Sequence, residues 1–355
     1  MSTMDPIESY CENYVLRSQS EAAENTVKRH VRHLRKFEMW LQDRGKEITD
    51  EIEVEDDLLR FHRWMKQRGA GTKCPECEGV ADPFEDLCPD CGADVSEGEP
   101  VGYSEGTIKN ATGAISKFFQ IQRPDDPNPV DQWETTGSDG KWSITTEKKR
   151  ATREGVFCLE SDEVDKLIEA ADGFRDKLII RILVSTGMRR SECISLRLRG
   201  VEPDQKYILI YERKNDDYRK VDFRSDKLAR DLQMWIDHYR QQEYGAAESD
   251  YLFPLDGKGN SDHLGETVVR DIVVEAAERA GIQDDYGTDA MGRTQHLVTP
   301  HALRATFAVQ CAKNGIFAPM VKKALGHHSL NVTDIYTSVI DDDAADMIRR
   351  DGPSY

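Results

Sequence analysis

The chain has 355 residues, 66 of them acidic against 48 lysines and arginines, for a formal net charge of −18. That length accommodates two domains with ordinary cores and one small extra module, and the lack of an apolar run of about 18 residues argues against a membrane span. Proteins that bind nucleic acid tend to be basic, so the charge suggests either a protein that never meets nucleic acid or an acid-coated protein of a salt-rich, halophilic cytoplasm; folding best in dilute buffer would remove the second.

The N-terminus, MSTMDPIESYCENYV, carries acids and lacks a basic region followed by an apolar block, so it does not read as a secretory signal and a cytoplasmic location is expected. Residues 26 to 41 repeat apolar side chains at Val27, Val31, Leu34, Phe37 or Met39, and Leu41, close to a 3.6-residue period, which predicts an amphipathic helix. Its other face carries Lys28, Arg29, Arg32, Arg35 and Lys36. Such a face is commonly just solvated, but in so acidic a chain it reads as tracking phosphates. Acids dominate residues 47 to 57, a helical LLRFHRWMKQRG follows, and a third helix is predicted over 104 to 122, where Lys109 and Lys117 extend the candidate DNA-binding set. These helices would form one bundle over residues 1–125.

An insert at 72–100 interrupts that bundle. Cys74, Cys77, Cys88 and Cys91 form two C-x-x-C knuckles separated by ten residues, a spacing suited to turning four thiolates toward one tetrahedral Zn²⁺. Two disulfides or a redox pair are the alternatives, disfavoured in a reducing cytosol. From Cys74 to Pro100 there are nine acids and no lysine or arginine, so the module reads as a metal-folded staple or a contact surface for a protein partner, not as a phosphate grip. Residues 126–155, with their prolines and Gly/Ser/Thr punctuation, read as an interdomain linker.

A second domain is expected from 156 to 355. Ser161 with Asp162 and Glu163 looks like a helix start, and FRDKLIIRILVSTG like an apolar helix ending at Gly187. YILIYE and YRKVDF alternate like a hairpin, and further helices are predicted near 225–243, 262–281, 300–313 and 317–325. The fold class is mainly α with a small antiparallel β-sheet. Within it, TGMRRSECISLR offers Arg189 with Glu192 one turn on, the hairpin tip offers Lys214, HALRATFA offers His301 and Arg304, and LGHHSLNVTDIY offers His327 and Tyr336. Adjacent histidines cannot both face one ion from a helix, so His327 and His328 do not read as a metal pair.

As an ordered set, Arg, Lys, His-x-x-Arg, Gly-His and then Tyr nine residues later, these positions resemble the tyrosine recombinase family of phage-type integrases and Xer recombinases. The match covers 156 to 340 and, more loosely, the first domain, which resembles the family's helical core-binding domain; NPV at 128–130 falls where such chains often leave that domain. The acidic insert departs from the pattern. So do NDD and VDF after Lys214, where a glycine-rich turn and a proline are usual, and Lys220 is the fallback for the lysine.

The resemblance implies an α+β catalytic domain that cleaves and rejoins double-stranded DNA through a 3′-phosphotyrosine, without ATP or a catalytic metal. It also implies four protomers on two duplexes, with the tail 338–355 free to dock on a neighbour. The chemistry agrees. A phenol with a pKa of about 10 is both a fair nucleophile and a fair leaving group for the return step. Arg189 and Arg304 suit bidentate contact with the nonbridging oxygens, His301 and His327 add donors, Lys214 protonates the 5′ oxygen, and Glu192 orients Arg189. A type IB topoisomerase-like nicking-closing enzyme, or a non-catalytic zinc-containing DNA-binding protein, are the competing readings.

Overall fold

The computed structural model describes residues 5–18, 21–77, 79–131, 157–212, 217–254, 263–288 and 293–326. Two compact units divide the chain, one from Met1–Lys149 with Thr288–Thr294, the other from Arg150–Gly287 with Gln295–Tyr355. Both are mainly helical, with small antiparallel sheets, and no helix among the described residues is long and apolar enough to cross a membrane.

The first unit is a helical bundle: α1 (Pro6–Ser18), α2 (Glu21–Gln42), a wide π-type segment at Val54–Leu59 running into α3 (Arg60–Gln67), and α4 (Glu105–Gln122). The apolar stripe read in α2 faces inward, where Leu34, Phe37, Trp40 and Leu41 meet Phe61 and Met65 of α3 and Ile108, Ile115 and Phe118 of α4. Phe37, not Met39, takes the inward position; Met39 is exposed. The sequence pattern gave no helix for α1. Its Ile7 and Tyr10 join the same core, and the Asp5 carboxylate accepts from the Ile7 N–H at 2.8 Å, capping its start.

Between α3 and α4 the insert forms a three-stranded antiparallel sheet, β1 (Gly71–Lys73), β2 (Val80–Ala81) and β3 (Glu99–Val101), in the order β2-β1-β3. Gly71 sits at φ 141°, and a Cβ there would lie 1.9 Å from the Ala81 carbonyl, so only glycine lets the strands close. The module packs on the bundle through Phe84, whose ring lies 5.4 Å from that of Trp64.

The second unit contains α5 (Ser161–Ala170), α6 (Gly173–Thr186), α7 (Arg190–Ile194), the sheet β4 (Val201–Glu202), β5 (Tyr207–Glu212) and β6 (Asp217–Asp222), then α8 (Asp226–Met234) and α9 (Glu266–Arg279). A short ladder, β7 (Asp285–Thr288) and β8 (Thr294–His296), precedes α10 (Pro300–Lys313) and α11 (Ala318–Leu325). Leu178, Ile179, Ile180, Ile182 and Leu183 make α6 apolar nearly all round, as a central helix must be. The N-cap of α5 is Glu160, one residue before the expected Ser161, because Glu163 reaches back to the Glu160 N–H at 2.9 Å. The strands pair in register from Tyr207↔Asp222 to Glu212↔Asp217, closing the predicted hairpin.

Candidate active site

The end of α6 starts the site. Gly187 takes the left-handed φ of 63°, and a Cβ on it would come within 2.4 Å of Phe307 and 2.6 Å of Leu325. Glycine therefore lets α6 stop against α10 and α11 at once. The chain turns into α7 with Arg189 as its N-cap, and Glu192 accepts from the Arg189 backbone N–H at 2.7 Å and from its Nη1 at 2.7 Å.

Arg304, on α10, is only 3% exposed. It donates to the Gly187 carbonyl and to the Leu325 carbonyl, each at 2.7 Å, and lies 4.0 Å from Glu192. His301 stands one turn earlier on the same helix. Arg189, His301 and Arg304 thus line one cleft of about 380 Å³, together with Arg190, Ser191, Glu266, Arg270, Thr299 and Pro300. The first turn of α10 begins there, so its helix dipole adds to the pull on an anion. Four arginines and one glutamate in a single cleft reverse the sign of a chain that is acidic as a whole. Arg190 holds that glutamate, Glu266, at 2.8 Å.

His301 opens onto the cleft, yet the packed protein around its ring, and secondarily the Arg304 guanidinium, hold its pKa below the ordinary 6.5. The folded chain therefore resists a proton that the unfolded chain accepts. Its contribution to stability is complete above pH 6.5 and is lost as the pH falls through the lower folded value. Ring NMR of the protein should show a midpoint below 6.5, and a midpoint at or above 6.5 would contradict this environment.

The other expected members of the site, Lys214, His327 and Tyr336, lie outside the described residues, as does the tail 338–355. The fallback Lys220 is placed and does not join. Alternation along β6 puts it on the face opposite Arg219, with Nζ 2.8 Å from Asp222 and 4.4 Å from the centre of the Tyr207 ring. Arg219, which the sequence reading passed over, reaches the site instead: its Nη2 donates to Glu192 at 2.9 Å. Its sequence signal was its place in YRKVDF, two residues from the buried Val221 and so on the inward face. Arg190, Glu266 and Arg270 carried no comparable signal.

In the first unit, Lys28, Arg29 and Arg32 on α2 and Lys109 and Lys117 on α4 are exposed. Arg29 and Lys117 both act on His30, lowering its pKa after burial, so the basic residues of the two helices converge. Arg35 and Lys36 have other employment. Arg35 pairs with Asp5 at 2.5 Å and Glu38 at 2.9 Å. Lys36, 13% exposed, donates to the Gly69 carbonyl at 3.1 Å, Asp82 at 3.3 Å and the Tyr103 hydroxyl at 3.3 Å, tying α2 to the insert.

The four cysteine sulfurs of the insert lie within 4.8 Å of one another. Cys74 and Cys91 are 3.6 Å apart and Cys77 and Cys88 3.5 Å, too far for disulfides and near the roughly 3.8 Å edge of a tetrahedral tetrathiolate zinc site. The donor set fits zinc.

A family model described as the phage integrase family matches residues 158–342. The tyrosine recombinase XerA of Pyrococcus furiosus is 31% identical over 183 residues, 51% of this chain and 57% of that protein, so this match spans little more than half of the relative's length. The tyrosine recombinase XerD of Rhizobium meliloti is 24% identical over 334 residues, 89% of this chain and 93% of its own. Among solved structures, the Tn1549 transposon integrase in complex with transposon right end DNA has a TM-score of 0.60 at 18% identity, covering 97% of this chain and 99% of that one. A lambda integrase dimer bound to a core site has a TM-score of 0.56 at 14% identity, covering 95% of each chain. These two show likeness of fold.

Proposed function

The chain belongs to the phage integrase family, and from that premise we propose that it is a site-specific DNA recombinase, cutting and rejoining strands through a 3′-phosphotyrosine. One observation supports this most: Arg189 meets His301 and Arg304, more than a hundred residues further along the chain, in a single cationic cleft. In the reaction, Arg189 and Arg304 hold the nonbridging oxygens and stabilise the charge that builds on them in the transition state. His301 and His327 donate to the same oxygens, Tyr336 attacks phosphorus, and Lys214 supplies the proton for the departing 5′ oxygen. Each bond broken is stored as an ester to tyrosine, so the reverse attack by a 5′ hydroxyl reseals the strand without an energy source.

Lys28, Arg29, Arg32, Lys109 and Lys117 contact the DNA backbone, while Arg35 and Lys36 hold the helix that presents them. Cys74, Cys77, Cys88 and Cys91 hold a structural Zn²⁺ that folds the acidic insert. Four protomers assemble on two duplexes in the cytoplasm, their acidic outer surfaces suited to high salt.

The test uses a pool of nicked suicide duplexes with randomised sequence around the nick, in magnesium-free buffer. A protein–DNA adduct on a denaturing gel that vanishes in Tyr336→Phe is the expected result; no adduct, or one that persists in Tyr336→Phe, overturns the reading. Exchange of arms between two recovered sites then separates a recombinase from a nicking-closing enzyme.

A further inference from the structure

The end of α11 is held in an unusual way. Helices leave their last carbonyls without intrahelical partners, and the macrodipole makes that end negative. Here three consecutive carbonyls each accept from a different guanidinium: Ala324 from Arg219 Nη1, Leu325 from Arg304 Nη2 at 2.7 Å, and Gly326 from Arg189 Nη2 at 3.1 Å. Two of those arginines line the cleft, whereas Arg219 is not among its lining residues. Its side chain is 11% exposed. It lies so close to the left-handed Gly326, φ 66°, that a Cβ there would sit 2.9 Å from Arg219 Nε.

The same arginine also pairs with Glu192. One carboxylate oxygen, Oε1, accepts from Arg189 at 2.7 Å and from Arg219 at 2.9 Å. A glutamate beside a phosphate-binding arginine is a competitor for that arginine. With Arg219 on the same oxygen, Glu192 can orient Arg189 while part of its charge is offset elsewhere. Resting on the recombinase reading, we propose that Arg219 is a positioning residue for strand cleavage: it compensates Glu192 and fixes the carboxyl end of α11, leaving Arg189 aimed at the phosphate.

The experiment takes a nicked duplex recovered from the adduct pool and measures single-turnover adduct formation and duplex affinity separately. Arg219→Ala should slow cleavage about 10- to 100-fold, the scale of a misplaced reactive group, with affinity changed by less than about threefold. Arg219→Lys, which keeps the charge but not the fork, should recover part of the rate. The discriminating variant is Arg219→Ala with Glu192→Gln. Removing the uncompensated carboxylate should make this double variant at least as fast as Arg219→Ala alone, an outcome a merely structural role would not give. Losses that multiply in the double variant, or a cleavage rate for Arg219→Ala within about threefold of the parent, would overturn the role while leaving the recombinase reading intact. Failure of the parent chain to form any adduct would instead sink both.

Discussion

Arg304→Gln should slow strand cleavage by roughly 100- to 1000-fold and weaken the fold at the same time. The rate loss is the usual scale for deleting one preorganised donor to a developing oxyanion. The stability loss has a separate origin. Arg304 is buried and serves the carbonyls of Gly187 and Leu325, the ends of α6 and α11. A buried acceptor left without its donor costs about 1–3 kcal/mol, so two of them should cost about 2–6 kcal/mol. Arg304→Lys separates the two effects. A lysine retains charge near Glu192 but lacks the planar fork that spans both carbonyls, so stability should fall less than activity. Urea melts and single-turnover cleavage read the two quantities. An Arg304→Gln protein cleaving within tenfold of the parent would mean that the cleft is not the reaction centre.

Removal of zinc should have the larger effect on stability. The insert's own core is one small cluster, Cys74, Ala81, Cys88 and Val95, half of it the proposed metal ligands. So small a core does not hold a fold without a staple. Metal binding in sites of this kind contributes on the order of 10 kcal/mol to folding at neutral pH. The insert also bridges α3 and α4 and holds Lys36 and Trp64, so its collapse reaches the bundle. Elemental analysis should find one zinc per chain. A strong chelator, or Cys74→Ser with Cys88→Ser, should lower the melting temperature and release the Trp64 fluorescence signal. A chain that purifies without zinc and melts unchanged after chelation would refute the metal assignment.

What the sequence made legible follows from periodicity and spacing. The stripe in α2, the alternation of β5 and β6 and the paired cysteines are local patterns, and each appears where the spacing put it. Arg189, His301 and Arg304 were legible through resemblance, because nothing local says that distant arginines converge. The misses are tertiary. Arg35 and Lys36 look like open basic residues until Asp5, Asp82 and Gly69, distant in sequence, fold onto them. α1 has little amphipathic signal and becomes a helix by packing Ile7 and Tyr10 into a core made by others. Lys220 was the natural substitute for Lys214 by residue type, but the period of two along a strand turns it away.

The arginine-held turn at Gly326 has one more consequence, a limit of reach. From that anchored point to Tyr336 the chain has ten residues, and a fully extended chain covers at most about 35 Å over that count. Covalent geometry alone therefore sets an upper bound on the distance between Tyr336 and the arginines that hold Gly326. If Tyr336 is the nucleophile, any phosphate it attacks, on its own protomer's DNA or a neighbour's, must come inside that radius.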